Sequence, residues 1–226
     1  MTPTQFREYK LRYRSAIRQI LAEAEPGRLD ESAFPAYSHR NPLIGWLFWQ
    51  RLAVAMRAIE RRKPLYQVLD FGCGSGVMLP FLAANCDRVT AADIDLEPLE
   101  RARRQIPLAP NVETFDLGQR TLADLPPQAF DLIVALDVLE HVPDLRATLV
   151  ELFQLLAPGG RLLVSGPTEN LFYRIGRKLA GAEYSGAYHE RGIAAIKRDA
   201  AELAAVEPIA VLYWPVPLFE IFALRP

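Results

Sequence analysis

The stretch VLDFGCGSGVMLPFLA, residues 68–83, decides how this chain is read. An apolar run ends at Asp70 and Phe71, glycines follow at alternate positions (Gly72, Gly74 and Gly76), and a helical pattern starts at once. Glycine suits a place where the chain turns sharply and a ligand approaches the backbone with no Cβ in the way. The helix that follows offers free N–H groups to electron-rich ligand atoms. A second apolar run, about 20 residues on, ends in Asp93, where the ribose-reading acid of such sheets sits.

Working outward, short β-rich runs at 66–71, 88–93, 112–115, 130–135 and 161–165 alternate with helical patterns at 77–84, 97–105 and 144–156. The link between 115 and 130 reads as loop. Strands separated by helices make βαβ units, and hence a parallel sheet covered on both faces. A helical 193–203 then precedes runs at 207–213 and 218–224, joined by only 214–217. No parallel crossover is that short, so the last strand is predicted to run antiparallel. Ahead of the sheet, Phe6, Tyr9, Tyr13, Ile17, Ile20 and Leu21 recur at helical spacing over 4–24, with Arg7, Arg14 and Arg18 on the outer face. Asn41-Pro42 reads as the cap and first residue of a second helix to about residue 62, whose start is strongly apolar (Leu43, Ile44, Trp46, Leu47, Phe48, Trp49).

Composition narrows the function. The chain has 226 residues, half of them hydrophobic, with 26 Lys+Arg against 27 Asp+Glu and a net charge of -1. That suits one large domain, or a smaller one with an appendage, and lacks the basic footprint of a nucleic-acid binder. Cys73 and Cys86 cannot form a disulfide framework, the N-terminus is polar and basic, and no apolar run approaches a membrane span. The expectation is a cytoplasmic protein without membrane insertion.

The glycine loop departs from a dinucleotide fingerprint at two points. The third glycine of G-x-G-x-x-G would fall at Val77, and an acid, Asp70, precedes the turn. That carboxylate repels a pyrophosphate and attracts a ligand carrying an ammonium and a sulfonium. No G-x-x-x-x-G-K-[ST] follows to grip a triphosphate. The charge logic points to S-adenosylmethionine as the cofactor.

Four stretches in order, LDFGCGSG, AADID, FDLIVALDVLEHVPD and LLAPGGRLLVSGP, resemble the class I S-adenosylmethionine-dependent methyltransferases, of the small-molecule type seen in ubiquinone and menaquinone biosynthesis. The resemblance runs from about residue 65 to the C-terminus. It implies an α/β fold: a Rossmann-like doubly wound sheet of seven strands, the last antiparallel, with an N-terminal helical cap at 1–64 and the methyltransferase domain at 65–226. Carried over by position, Asp70, Phe71, Gly72 and Gly74 surround the methionine part of the donor, and Asp93 takes the ribose hydroxyls. Ile94 packs on the adenine, Asp116 and Leu117 hold its edge, and Ala135, Leu136 and Asp137 line the floor beneath the methyl group.

The acceptor is expected to be a small, partly apolar or aromatic metabolite, methylated on oxygen, nitrogen or carbon by in-line transfer. Its pocket is sought in an insertion around 166–192, with Tyr173, Tyr184, Tyr188 and His189, and in the second helix, with Trp46 and Trp49. His141 and His189 are the candidate bases, and Lys197 is a further candidate. Asp137, Glu140 and His141 resemble the E-x-x-E-H segment of polyprenyl-quinone O-methyltransferases, which leaves metal binding as the weaker alternative to none. Rival readings are an NAD-dependent oxidoreductase and a non-catalytic S-adenosylmethionine-binding module. A monomer and a homodimer are both compatible with the apolar second helix.

Overall fold

The computed structural model describes residues 3–23, 42–61, 64–168, 192–213 and 215–226. Helices α1 (Pro3–Glu23) and α2 (Pro42–Glu60) precede β1 (Gln67–Phe71), α3 (Leu79–Ala83), β2 (Arg88–Asp93), α4 (Glu97–Arg103) and β3 (Val112–Asp116). Then come β4 (Phe130–Leu136), α5 (Leu145–Leu155), β5 (Leu156–Pro167), α6 (Ile193–Ala200), β6 (Ala205–Leu212) and β7 (Phe219–Arg225). Single 3-10 turns at Leu122–Asp124 and Leu139–His141 occupy two of the links.

The seven strands form one sheet in the order β3-β2-β1-β4-β5-β7-β6. β7 is antiparallel to both β5 and β6, the short link at 213–218 leaving no room for a crossover from β6, and the pairs from β3 across to β5 are parallel. Strand order reverses between β1 and β4, the place at which open α/β sheets set their ligand crevice, outside the carboxyl ends of the strands. Alternate strand residues feed the two faces: Val68 and Val134 belong to one buried cluster, Leu69 and Ile133 to the other. α5 and α6 cover the second face, through Leu149, Leu152 and Ile196.

The first face is closed by α1 and α2 as well as by α3 and α4. Tyr13, Ile17, Trp49, Leu52 and Ile59 lie in the same cluster as Val68, Phe81 and Leu99. The buried side of α2 is therefore spent on packing, through Trp49, Leu52, Ala55, Met56 and Ile59.

Two local expectations are adjusted. α3 begins at Leu79 and not at residue 77, because the glycine loop goes on turning: Gly76 N–H donates to Cys73 O at 2.8 Å and Leu79 N–H to Gly76 O at 3.1 Å. β5 starts five residues early. A register shift against β4 between Phe130 and Leu132 accommodates Pro158-Gly159, which the sequence presents as a break. The cap of α5 is Asp144, whose Oδ1 accepts from Ala147 N–H at 3.0 Å.

Candidate active site

The carboxyl ends of β1, β2, β3 and β4 bring the expected donor-site residues to one edge. Gly72 and Cys73 N–H donate to Ala92 O at 2.8 and 3.1 Å, which folds the loop back over β2. Asp93 completes the tie: its Oδ2 accepts from Gly74 N–H at 2.7 Å and its Oδ1 from Asp95 N–H at 3.2 Å. Gly72 has φ +72, and a Cβ there would meet Val138 Cγ2 at 2.3 Å, so the loop rests directly on the exit of β4. Only glycine satisfies both the positive φ and that approach. The parallel register sets Asp93 beside Asp116, whose Oδ1 accepts from Gly118 N–H at 2.8 Å and Oδ2 from Gln119 Nε2 at 2.8 Å. Asp95 acts on the start of α4, accepting from Glu97 N–H at 2.8 Å.

Electrostatics follow from burial. Asp70 is raised to about 7, first by desolvation and then by the charge of Asp93. Asp93 is raised as well by desolvation, against the opposing pull of the N–H groups of Gly74, Asp95 and Ile94. Carboxylates so disposed are short of positive charge. The same surroundings push the Cys73 thiol well up, by burial, then by Asp70 and Asp93, and Cys86 to about 11 by burial, then by Asp87 and Asp131. Both thiols are thus poor nucleophiles at neutral pH.

Of the other expected donor contacts, Ile94 is 77% exposed beside Asp93 while Leu117 is half-buried. Phe71 packs in the second core cluster beneath the loop. Ala135 is enclosed at 0% exposure inside β4, whereas Leu136 and Asp137 are both half-buried.

On the acceptor side, Trp49 is enclosed. It is 1% exposed, boxed by Phe6, Tyr9 and Tyr13 at ring-centroid distances of 5.8, 6.0 and 5.8 Å, and serves packing between α1 and α2. Trp46, at 43% exposure, lies 5.6 Å from the ring of Tyr213, whose hydroxyl donates to Leu47 O at 2.6 Å. His141 is exposed on its 3-10 turn, and Glu140 is buried. Asp137, Glu140 and His141 do not gather as a metal cluster, since among the described residues no group of three such ligands does so; the metal alternative finds no support in their geometry. Lys197 pairs with Glu220. His189, Tyr173, Tyr184 and Tyr188 lie outside the described residues.

Two features escaped the sequence. Tyr9 donates its hydroxyl to Val77 O, and Tyr13 bonds Ser75 Oγ and also Ser75 O, the latter at 3.2 Å, so α1 is fastened to the glycine loop. The periodicity marked both tyrosines as apolar and said nothing of their hydroxyls. Arg51, buried on α2, pairs with Asp137. Its signal was present: it is the one charged residue in 42–56.

A family model described as a methyltransferase domain matches residues 8–205. The chain belongs to that family. Its sheet is the class I methyltransferase fold that the four stretches implied, and membership displaces the oxidoreductase reading. The match reaches into α1, consistent with a core that the N-terminal helices share with the sheet. A ubiquinone biosynthesis O-methyltransferase of Pseudomonas fluorescens is 32% identical over 160 residues, 68% of this chain and 62% of that protein. The chain thus spans less than two thirds of the length of that curated relative. Among solved structures, the N-methyltransferase NodS of Bradyrhizobium japonicum, in complex with S-adenosyl-L-homocysteine, superposes with a TM-score of 0.60 at 18% identity, covering 94% of this chain and 97% of that one. The DhpI complex with the same product superposes with a TM-score of 0.60 at 21% identity, covering 88% and 97%. At such identities the likeness speaks for the fold of this methyltransferase domain.

Substituting Tyr13 tests the docking of α1. Tyr13→Phe keeps the ring against Trp49 and removes the bonds to Ser75. It is expected to lower stability by about 1 kcal/mol, the usual net worth of such a bond, read as a fall in melting temperature.

Proposed function

We propose that this methyltransferase domain transfers the methyl group of S-adenosylmethionine to a small, partly apolar or aromatic metabolite. The observation that carries the reading is the line of three acids, Asp70, Asp93 and Asp116, around a glycine loop at the β1/β4 crevice. In this reading Asp70 faces the ammonium and sulfonium end of the donor. Gly72 and Gly74 give the methionine part its close approach, with Phe71 supporting the loop from below. Asp93 accepts the ribose hydroxyls, Ile94 covers the adenine, and Asp116 with Leu117 meets its edge. Leu136 and Asp137 underlie the methyl. Residues 1–64 form the cap, the insertion at 166–192 contributes acceptor contacts through Tyr173, Tyr184, Tyr188 and His189, and the reaction is placed in the cytoplasm. Among the described residues no helix is long and apolar enough to cross a membrane.

Transfer from a sulfonium is an in-line displacement, so most of its acceleration comes from aligning nucleophile, carbon and sulfur. A base is required only for an acceptor that arrives protonated, and His141 and His189 are the groups proposed for it. Because the curated relatives are named O-methyltransferases, oxygen is the acceptor atom placed first.

Calorimetry with S-adenosylmethionine and with NAD, side by side, tests the donor; binding of NAD alone sinks the reading. A thermal-shift screen of metabolites with S-adenosylhomocysteine present then finds acceptors, since a true one adds stabilisation by mass action. Donor binding with no methyl transfer to any hit would favour a non-catalytic module. With an acceptor in hand, Trp46→Ala is expected to raise its KM about tenfold at little cost to donor affinity, the effect of losing one exposed aromatic contact of about 1.4 kcal/mol. An unchanged KM would remove α2 from the pocket.

A further inference from the structure

A guanidinium stays charged at any accessible pH, so burying one requires an anion and well-matched surroundings. Arg51 is 2% exposed. Its Cζ lies 5.1 Å from the ring centroid of Phe48 and 5.0 Å from that of Phe219, and its Nη1 pairs with Asp137 Oδ2. The other carboxylate oxygen of Asp137 accepts from Ser165 Oγ at 3.0 Å, and its backbone N–H donates to Ser165 O at 2.9 Å. Asp137 is held with φ +56, a conformation that a non-glycine residue adopts at a cost. The acid that ends β4 is thus fixed from α2, from β5 and through its own backbone.

We infer that Arg51 is a positioning residue of the transfer site: it neutralises Asp137 in the floor under the methyl group, so that the donor's sulfonium and an anionic acceptor oxygen meet a cancelled carboxylate. This rests on the donor site described under Proposed function. During transfer the acceptor's lone pair forms the new bond to carbon while the C–S bond breaks and its electron pair stays on sulfur. The positive charge of the sulfonium is lost along the way. A free carboxylate beside it stabilises the starting cation more than the transition state and so slows the step. It also repels an oxyanion nucleophile. The guanidinium cancels both effects, and neither Arg51 nor Asp137 gives up or takes a proton. The acceptor class this admits is one that reacts through an ionised oxygen, a phenolate or a carboxylate.

The two donor forms give a readout that needs no acceptor, because S-adenosylmethionine carries the sulfonium charge and S-adenosylhomocysteine does not. Calorimetry on the full chain measures the ratio of their dissociation constants. In R51Q, which removes the charge and keeps a polar amide, the bared carboxylate is expected to shift that ratio about tenfold toward S-adenosylmethionine. In D137N the bared guanidinium is expected to shift it about tenfold toward S-adenosylhomocysteine. The double variant R51M/D137N, two neutral groups of similar shape, restores the wild-type ratio. Cooperative melting certifies each variant as folded. An unchanged ratio in a folded R51Q or D137N, or shifts of the same sign in both, overturns the inference while leaving the donor site intact. Wild-type protein that binds neither donor form overturns both.

Discussion

Asp93→Ala is expected to weaken the binding of S-adenosylmethionine and S-adenosylhomocysteine alike, by about a thousandfold. Two losses combine. The carboxylate proposed to accept both ribose hydroxyls disappears, and hydrogen bonds to a charged group contribute about 1.5–3 kcal/mol each. The bonds from Gly74 and Asp95 N–H go with it, so the glycine loop and the start of α4 lose their common anchor. About 4 kcal/mol in sum corresponds to that factor. Asp93→Asn separates the two losses: the amide oxygen can still accept from Gly74 but no longer serves two hydroxyls with a full charge. An intermediate weakening of about tenfold to a hundredfold is expected for it. Calorimetry on both variants checks this, and an alanine variant that binds within a factor of a few of wild type removes Asp93 from the ribose.

Why Asp93 could be named from the sequence while Arg51 could not is a matter of range. The glycine loop, the strand before it and the acid that ends β2 form a local pattern in which each residue's backbone demand is visible from its neighbours. The antiparallel β7 was legible for the same reason, since a four-residue link admits no crossover. The docking of α1 and α2 is not local. Periodicity says that Tyr9, Tyr13 and Trp49 need burial, but not that two of their hydroxyls will fasten the glycine loop or that Trp49 will fill the gap between the helices. Trp46 and Trp49, three residues apart and alike in type, end in opposite environments because only one of them faces α1. Ala135 was named by motif position, and its place in the core follows from the strand's alternation, which the motif does not display. Asp137 was read among three possible metal ligands; its actual partner lies on a helix 86 positions earlier, and only the fold brings them together.

Replacing Asp70 with asparagine is expected to stabilise the free protein and to weaken the donor, both in a pH-dependent way. Its carboxyl is raised from 3.8 to about 7, so between these values the folded chain holds a proton that the unfolded chain has released. Stability contributed by this group is therefore full below pH 4 and falls as pH rises toward 7, by up to about 4 kcal/mol at 1.36 kcal/mol per tenfold change. Asp70→Asn removes that loss, less whatever its amide costs to bury. Its melting temperature should exceed that of wild type at pH 8, and the advantage should vanish near pH 4. Donor binding runs the other way. A cationic donor favours the ionised acid, so wild-type affinity for S-adenosylmethionine is expected to fall up to tenfold per pH unit below 7, with proton release on binding. The asparagine variant should bind S-adenosylmethionine about a hundredfold more weakly at pH 8, without that pH dependence. Calorimetry in buffers of different ionisation enthalpy counts the released proton. A stabilised variant that binds the donor as wild type does would mean that Asp70 is strained for some purpose other than the sulfonium and ammonium. A desolvated acid at the end of β1 is costly to the free fold at physiological pH, and donor binding offsets that cost only if the charge it brings is positive.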